Sequence, residues 1–278
     1  MSSRKSGHMK KSRYFLGADN TELARLRVQH EAFLPTTMSL LKQAKVKKGE
    51  CWMDLGCGPG FVSLELSKMV GPTGKVLGVD KEEKYLREAA STFRRKNNLS
   101  FRQIDLENPT FDKKDRFDGV FGRWITLFLA NREKTLRLLA NQLKAGGRMV
   151  FMEYVNFRSI SLVPPEPSFD RFATAVQSAY SANGCDSSAG QFLLDIFQRL
   201  GLSITSLDVM VAAAKPGDDL WTWFEEFSFQ FGPKFVEQGV LSESERQTYE
   251  RDWKSFAGRK TGFLLTPPLL KIIATKKK

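Results

Sequence analysis

The stretch Trp52-Met53-Asp54-Leu55-Gly56-Cys57-Gly58-Pro59-Gly60-Phe61 decides the fold of this chain. Its apolar start is typical of a buried strand, and the glycines that follow predict a tight turn into a helix. A second apolar strand, Val76-Leu77-Gly78-Val79-Asp80, ends in a carboxylate about twenty residues later. An open α/β sheet uses this pairing to hold the adenosine part of a cofactor. Glycine lets backbone N–H groups approach the ligand, and the acidic residue accepts the ribose hydroxyls.

The spacing of the glycines separates two kinds of cofactor. A dinucleotide site has the pattern G-x-G-x-x-G, whereas the glycines here are Gly56, Gly58 and Gly60, with Phe61 next. Asp54 is expected to direct a carboxylate into the site, which repels a pyrophosphate and attracts an ammonium and a sulfonium. The segment resembles the first motif of the class I S-adenosylmethionine-dependent methyltransferases, an acidic residue followed by G-x-G-x-G. The resemblance implies S-adenosylmethionine as cofactor and S-adenosylhomocysteine as product.

Predicted strands and helices alternate along the chain, which indicates a parallel sheet with helices on both faces. The predicted strands are 51–55, 75–79, 100–104, 117–122, 148–152, 202–211 and 262–275, and the predicted helices are 21–48, 60–70, 81–97, 131–143, 168–182, 188–200 and two within 218–256. With the resemblance, this pattern predicts a Rossmann-like, seven-stranded, doubly wound α/β sheet. Its last strand is expected to be antiparallel, with added helices as a lid or cap.

The chain is predicted to divide into a leader and a single domain. Residues 1–12 are expected to form a basic, disordered leader, in which Gly7-His8-Met9 resembles the remnant of a cloning tag. The rest, residues 13–278, is predicted to be one methyltransferase domain. Its expected parts are an N-terminal helical lid (13–48), a cofactor-binding core (49–155) and helical insertions over the substrate site (156–200 and 216–258).

The distribution of charge disfavours a nucleic-acid partner, although the net charge is +12. Nine basic residues lie in end segments that contain no acid: Arg4, Lys5, Lys10, Lys11, Arg13, Lys271, Lys276, Lys277 and Lys278. Basic ends of this kind are usually solvated or disordered. Nucleobase amino-methyltransferases carry an Asn/Asp-Pro-Pro-aromatic motif after the fourth strand, and the sequence has none there.

Apolar runs and cysteines in the sequence indicate the cellular compartment of the protein. No apolar run approaches the ~20 residues that a membrane-spanning helix needs, and no apolar stretch follows the basic N-terminus as in a secretory signal. Cys51, Cys57 and Cys185 lack the spacing of metal ligands and cannot all pair. We therefore expect a cytoplasmic protein with no metal site. The sequence leaves its oligomeric state open.

Strand ends supply the other candidate cofactor residues. The predicted set is Tyr14, Asp54, Gly56, Cys57, Gly58, Gly60, Asp80, Lys81, Ile104, Asp105, Leu106, Arg123 and Trp124. In the family, an acidic residue at the place of Asp105 bonds the adenine amino group, and an apolar neighbour such as Ile104 packs on the ring. The segment Arg123-Trp124-Ile125-Thr126-Leu127 resembles the ubiquinone- and menaquinone-biosynthesis-like branch. There Arg123 would pair with the methionyl carboxylate or support the loop.

The candidate catalytic residues are His30, Glu153 and Tyr154. His30 lies in a segment that resembles a leader closing over the cofactor in that branch. It is a candidate general base, with a packed structural role as the alternative. Glu153 and Tyr154 follow the fifth strand and are expected to point into the same cleft as an acid/base pair. Methyl transfer is an in-line displacement at a sulfonium carbon, so alignment and exclusion of water matter most, and a base is needed only for a protonated nucleophile.

An aromatic segment near the C-terminus has two interpretations. Residues 218–236 carry rings at helical spacing, which commonly form a core. Helices inserted after the fifth strand can also cover the carboxyl ends of the strands, where such sheets bind ligands. The sequence therefore predicts methyl transfer to a small, partly apolar or aromatic acceptor. An RNA or protein methyltransferase and a non-catalytic S-adenosylmethionine-binding module that regulates or assembles partners remain open.

Overall fold

A seven-stranded mixed sheet with helices on both faces dominates the computed structural model, which describes residues 17, 19–112 and 114–277. In chain order the strands are β1 (Cys51–Leu55), β2 (Lys75–Asp80), β3 (Leu99–Gln103), β4 (Phe117–Arg123), β5 (Leu143–Tyr154), β6 (Ser161–Val163), β7 (Leu202–Met210), β8 (Ala213–Ala214), β9 (Phe263–Leu265) and β10 (Leu269–Lys276). The helices are α1 (Asn20–Gln43), α2 (Phe61–Val70), α3 (Glu83–Thr92), α4 (Arg132–Gln142), α5 (Pro167–Ala182), α6 (Leu193–Arg199), α7 (Asp219–Glu237) and α8 (Glu243–Ala257).

The order of the strands in the large sheet is β3-β2-β1-β4-β5-β10-β7. Strands β1 to β5 pair in parallel, and β10 lies antiparallel between β5 and β7. The predicted doubly wound sheet with an antiparallel last strand is therefore confirmed. The predicted leader, residues 1–12, and Tyr14 lie outside the described residues.

A second, three-stranded sheet was not predicted from the sequence. It has the order β6-β9-β8, and each of its strands has only two or three residues. Because β9 belongs to this sheet, the single last strand predicted over 262–275 is divided into β9 and β10. The break contains Pro267 and Pro268, which cannot donate to a ladder of hydrogen bonds.

Helices α5, α7 and α8 pack together through a bundle of aromatic side chains. The ring centroids of Phe172 and Tyr249 are 4.1 Å apart, and those of Trp221 and Trp253 are 4.2 Å apart. Phe224 of α7 is fully buried among these rings. One side of α7 is therefore part of a hydrophobic core, which is the first of the two interpretations of residues 218–236. Its other side borders the cavity described below.

The carboxyl ends of β1, β2 and β4 meet at one edge of the sheet, because these strands are parallel neighbours. Helix α1 packs against α7 on the same side of the molecule. The strand ends, α1 and α7 together enclose the candidate site. This is the place where open α/β sheets bind ligands.

Candidate active site

The turn after β1 holds three glycines in the left-handed backbone region. The φ angles of Gly56, Gly58 and Gly60 are +65°, +52° and +79°, which other residues rarely adopt. A Cβ atom added at Gly56 would lie 2.5 Å from Ile125 Cδ1, and one added at Gly60 would lie 2.9 Å from the Phe101 ring. A Cβ atom added at Gly58 would meet no atom within 4 Å. The backbone of Gly58 thus borders open space, as a ligand-binding backbone must.

Asp80 ends β2 beside this turn. Its Oδ2 accepts the N–H of Gly58 at 2.9 Å, and its Oδ1 accepts the N–H of Glu82 at 2.9 Å. A carboxylate has about four lone-pair sites, so both oxygens keep capacity for further donors such as the two hydroxyls of a ribose. Gly58 and Asp80 line the same cavity. This open backbone and carboxylate fit the adenosine part of the cofactor that the resemblance implies.

A carboxyl and a guanidinium lie on the next part of the cavity wall. Asp54 is buried, its Oδ2 accepts the hydroxyl of Ser63 at 2.6 Å, and burial raises the pKa of Asp54 to about 7. Arg123, at the end of β4, also lines the cavity. Burial lowers the pKa of Arg123 to about 10, so this side chain is still cationic at neutral pH. The negative charge of Asp54 acts in the opposite direction to burial and raises the pKa of Arg123.

His30 lies behind Arg123 and is not among the residues that line the cavity. Arg123 Nη2 is 3.5 Å from His30 Nδ1, while Nη1 donates to Thr37 Oγ1 at 3.0 Å. The imidazole also lies next to Phe61, with ring centroids 5.2 Å apart. Burial lowers the pKa of His30 to about 4, and Arg123 acts in the same direction. The imidazole is therefore neutral at neutral pH. Its packed position fits the structural role that the sequence offered as the alternative to a general base.

The last two residues of β5 face opposite sides of the sheet. Tyr154 lines the cavity and stacks on Trp124 with ring centroids 5.5 Å apart. Glu153 does not line the cavity, and its Oε1 accepts the N–H groups of Ile125 and Thr126 at 2.8 and 2.7 Å. The expectation that both side chains point into the cleft as an acid/base pair is wrong for Glu153. Successive residues of a strand point to opposite faces.

The structure brings most of the other predicted cofactor residues together. Those that line the cavity are Cys57, Lys81, Asp105, Leu106 and Trp124. Gly60 stands at the start of α2, packed on the Phe101 ring, and is not a lining residue. Ile104 is buried in the hydrophobic core on one face of the sheet and does not border the cavity either.

The cavity continues from the glycine turn into an aromatic chamber. The whole cavity has a volume of about 1010 Å³, at the upper end of the roughly 300–1,000 Å³ of a small-molecule site. The aromatic side chains that line it beyond the strand ends are Phe61, Phe128, Tyr154, Phe157, Tyr180, Trp223 and Phe227. Trp223 and Phe227 come from α7, so this helix supplies one wall. The volume leaves room for a cofactor and a small second molecule.

A buried ion pair on α1 borders the chamber. Arg25 lines the cavity, and its Nε and Nη2 donate to the two carboxylate oxygens of Glu22, each at 2.8 Å. Glu22 is 0% exposed, and Gln230 of α7 donates to its Oε2 at 2.7 Å. Arg25 Nη1 donates to Gln29 Oε1 at 2.6 Å. This network balances the charge of Arg25 and joins α1 to α7.

Several lining residues had no role assigned to them from the sequence. Arg25, Gln29, Tyr85 and Tyr180 are the main ones. Glu22 and Arg25 are three residues apart, a spacing at which ion pairs are common on exposed helix faces. The sequence pattern therefore does not show that this ion pair is buried. The tyrosines reach the cavity from α3 and α5, and that approach depends on how the helices pack.

The described ranges contain neither a cluster of metal ligands nor a helix that could span a membrane. Within them, no group of three or more His, Cys, Asp or Glu side chains is arranged to hold a metal ion. None of the helices there combines the length and apolar character of a membrane span.

Sequence comparison identifies the family. A sequence model described as a methyltransferase domain matches residues 46–200, which is more than half of the chain. The chain belongs to the methyltransferase domain family. The matched residues include the glycine turn, Asp80, Arg123 and the whole of β5. The predictions of a class I methyltransferase and of S-adenosylmethionine as its cofactor are thereby confirmed.

Individual relatives are consistent with this membership. The aklanonic acid methyltransferase of Streptomyces sp. (strain C5) is 33% identical over 144 residues, which is 50% of this chain and 64% of the relative. A demethylmenaquinone methyltransferase of Staphylococcus saprophyticus is 35% identical over 118 residues, 41% of this chain and 48% of the relative. The chain spans about half the length of the curated relatives that it matches.

The fold of this methyltransferase chain is also found in solved structures. Phosphoethanolamine N-methyltransferase 2 of Haemonchus contortus, in complex with S-adenosyl-L-methionine, superposes with a TM-score of 0.58 at 17% identity. The superposition covers 96% of this chain and 60% of that protein. At this identity the likeness concerns the fold alone.

Proposed function

We propose that this protein transfers the methyl group of S-adenosylmethionine to a small, partly apolar or aromatic molecule by in-line displacement. One observation carries the proposal: a single cavity joins the glycine turn and Asp80 to a chamber walled by Trp223, Phe227 and Tyr154. The first part suits a cofactor with an adenosine group. The second suits a planar or apolar acceptor, because aromatic walls bury large apolar surfaces and stack on rings.

We assign the cofactor end as follows. The open backbone of Gly58 and the carboxylate of Asp80 would hold the adenosine group. Asp54 and Arg123 would bind the ammonium and the carboxylate of the methionyl group. S-adenosylmethionine supplies a methyl group on a positively charged sulfur, which is already an excellent leaving group. The chain therefore has to position two molecules and keep water out of the cavity.

Acid–base catalysis has a limited part in this proposal. Burial raises the pKa of Tyr154 well above its usual value, so its hydroxyl stays protonated and would donate a hydrogen bond to the acceptor. His30 and Glu153 do not border the cavity. An acceptor that ionises without help, such as an aromatic carboxylic acid or an acidic phenol, needs no base. One relative is named for aklanonic acid, which supports an acidic acceptor, and another is named for demethylmenaquinone, which supports a largely apolar ring compound.

We also propose that α1 and α7 act as a lid over the acceptor. Arg25 and Gln29 of α1 and Trp223 and Phe227 of α7 line the cavity. The bond from Gln230 to Glu22 joins the two helices. A lid of this kind must open to admit the acceptor, as in many enzymes that exclude water from the reacting atoms.

A methyl-transfer assay tests the proposed substrate class. The protein is incubated with methyl-labelled S-adenosylmethionine and separate pools of aromatic carboxylic acids, phenols, aliphatic amines, RNA and denatured protein. We expect label in a small aromatic or partly apolar product. Labelling of RNA or protein with none of the small molecules would contradict the proposal. So would the absence of transfer to any acceptor by a protein that binds the cofactor.

The acceptor wall on α7 gives a quantitative prediction for any acceptor that is found. The Trp223→Leu substitution should raise the KM for the acceptor by about 2- to 13-fold, the range expected for a lost aromatic contact of ~0.5–1.5 kcal/mol. The affinity for S-adenosylhomocysteine should not change. Phe224→Leu is the matched control, because the neighbouring Phe224 faces the bundle and not the cavity. It should lower the melting temperature without changing the KM. An equal KM effect in both variants would refute the assigned wall.

A further inference from the structure

Glu153 is a buried carboxyl that the proposed reaction does not use. It is 0% exposed and does not border the cavity. Its Oε1 accepts two backbone N–H groups, while its Oε2 has no hydrogen-bond partner among the described residues. Burial raises the pKa of Glu153 to about 7. Burying a carboxyl group costs free energy, and burying an apolar side chain does not. The hydrogen bonds of Glu153 must therefore provide something that an apolar side chain at this position could not.

Those hydrogen bonds hold a strained loop. Trp124 has a φ angle of +53°, and a bulky residue in this left-handed region is strained. Its own N–H donates to the carbonyl of Met152 at 3.0 Å, so the kink lies where β4 leaves β5. The N–H groups of the next two residues, Ile125 and Thr126, then turn toward Glu153. The carboxylate thus satisfies two consecutive amides that the kink takes out of the sheet.

The same loop forms part of the cavity next to the glycine turn. Trp124 and Ile125 both line the cavity. Ile125 also packs directly on Gly56, since a Cβ atom added there would lie 2.5 Å from Ile125 Cδ1. On the other side, the Arg123 guanidinium lies 4.9 Å from the centroid of the Trp124 ring. A displacement of this loop would therefore move the wall that contacts the glycine turn.

We propose that Glu153 is a positioning residue, which fixes the loop 124–126 in the shape that completes the cofactor side of the cavity. It acts through the loop and touches neither the cofactor nor the acceptor. This inference rests on the proposed cofactor site, because the loop matters for binding only if the cofactor lies beside Gly56.

Two variants separate the hydrogen bonds from the volume of the side chain. Glu153→Leu has a similar size and no acceptor, and Glu153→Gln keeps an acceptor oxygen for both amides. Hydrogen exchange in the protein without ligand should be at least about tenfold faster at the amides of Ile125 and Thr126 in Glu153→Leu, and near normal in Glu153→Gln. Calorimetry should show about tenfold weaker S-adenosylhomocysteine binding in Glu153→Leu and less than about threefold in Glu153→Gln. If Glu153→Leu does not fold, Glu153→Asp, with its shorter reach, carries the same test.

The matched control is Thr266→Ala. Thr266 is also buried, and its Oγ1 accepts the N–H of Ala212 at 2.9 Å, but it holds a loop away from the cavity. It should lower the melting temperature and leave the affinity unchanged. Unchanged exchange at Ile125 and Thr126 in Glu153→Leu would overturn the inference. So would equal affinity losses in Glu153→Leu and Thr266→Ala. If the unaltered protein does not bind S-adenosylhomocysteine, the proposed function fails, while the exchange measurement still decides whether Glu153 holds the loop.

Discussion

We expect that replacing Gly58 by valine will remove S-adenosylhomocysteine binding and leave the protein folded. The branched side chain would enter the open space beside the turn, where no atom now lies within 4 Å of an added Cβ. It would also occupy the volume that the cofactor needs next to Asp80. Calorimetric titration should show a loss of at least about 100-fold in affinity, equivalent to about 2.7 kcal/mol. Circular dichroism should show a folded protein.

Gly201→Val is the matched control for this substitution. Gly201 has a φ angle of +72°, and a Cβ atom added there also meets nothing within 4 Å. It does not line the cavity. Both variants should lose roughly 1–2 kcal/mol of stability because of the left-handed backbone, and only Gly58→Val should lose binding. Normal affinity in Gly58→Val would exclude the glycine turn as the cofactor site.

The second large effect concerns the buried ion pair on α1. Glu22→Ala should reduce the free energy of unfolding by about 3–5 kcal/mol, because it removes the carboxylate that pairs with the buried guanidinium of Arg25. Arg25 is 3% exposed and Glu22 is 0% exposed. Urea denaturation measures the loss. Glu83→Ala is the control, since Glu83 and Arg87 form an exposed pair with 61% and 72% of their side-chain surfaces accessible. Its expected cost is less than about 1 kcal/mol.

A double substitution shows whether the effect comes from charge or from packing. Changing Glu22 to Leu and Arg25 to Met together removes both charges and keeps the space filled. Replacing a buried ion pair with apolar residues is often neutral or stabilising. The double variant should therefore regain most of the stability lost in Glu22→Ala. If Glu22→Ala costs no more than Glu83→Ala, the pair is not a buried charge network in solution.

Local sequence patterns, together with the resemblance to the class I methyltransferases, were sufficient to predict the large sheet. The glycine turn and the apolar strands around it are contiguous signals, so β1, β2, β4 and α2 appear close to their predicted places. The small sheet was missed because its strands have two or three residues and are distant in sequence. No periodicity can be read from segments of that length.

The candidate site divides in a similar way. Residues at the ends of strands, such as Asp80 and Arg123, were predicted because topology alone places strand ends together. The different orientations of Glu153 and Tyr154 follow from the alternation of side chains along a strand, so the sequence contained that signal. The positions of Arg25 and Tyr180 depend on how helices pack over the sheet. Their spacing in the sequence gives no measure of that packing.

The most direct test of the central claim is a crystal structure of the complex with S-adenosylhomocysteine. We predict that the ribose hydroxyls lie within about 3.2 Å of the Asp80 carboxylate. The adenosine group should lie beside the backbone of Gly58, and the sulfur should point toward the chamber lined by Tyr154 and Trp223. A complex with the ligand bound elsewhere, or with the sulfur directed to bulk solvent away from the aromatic chamber, would contradict the account.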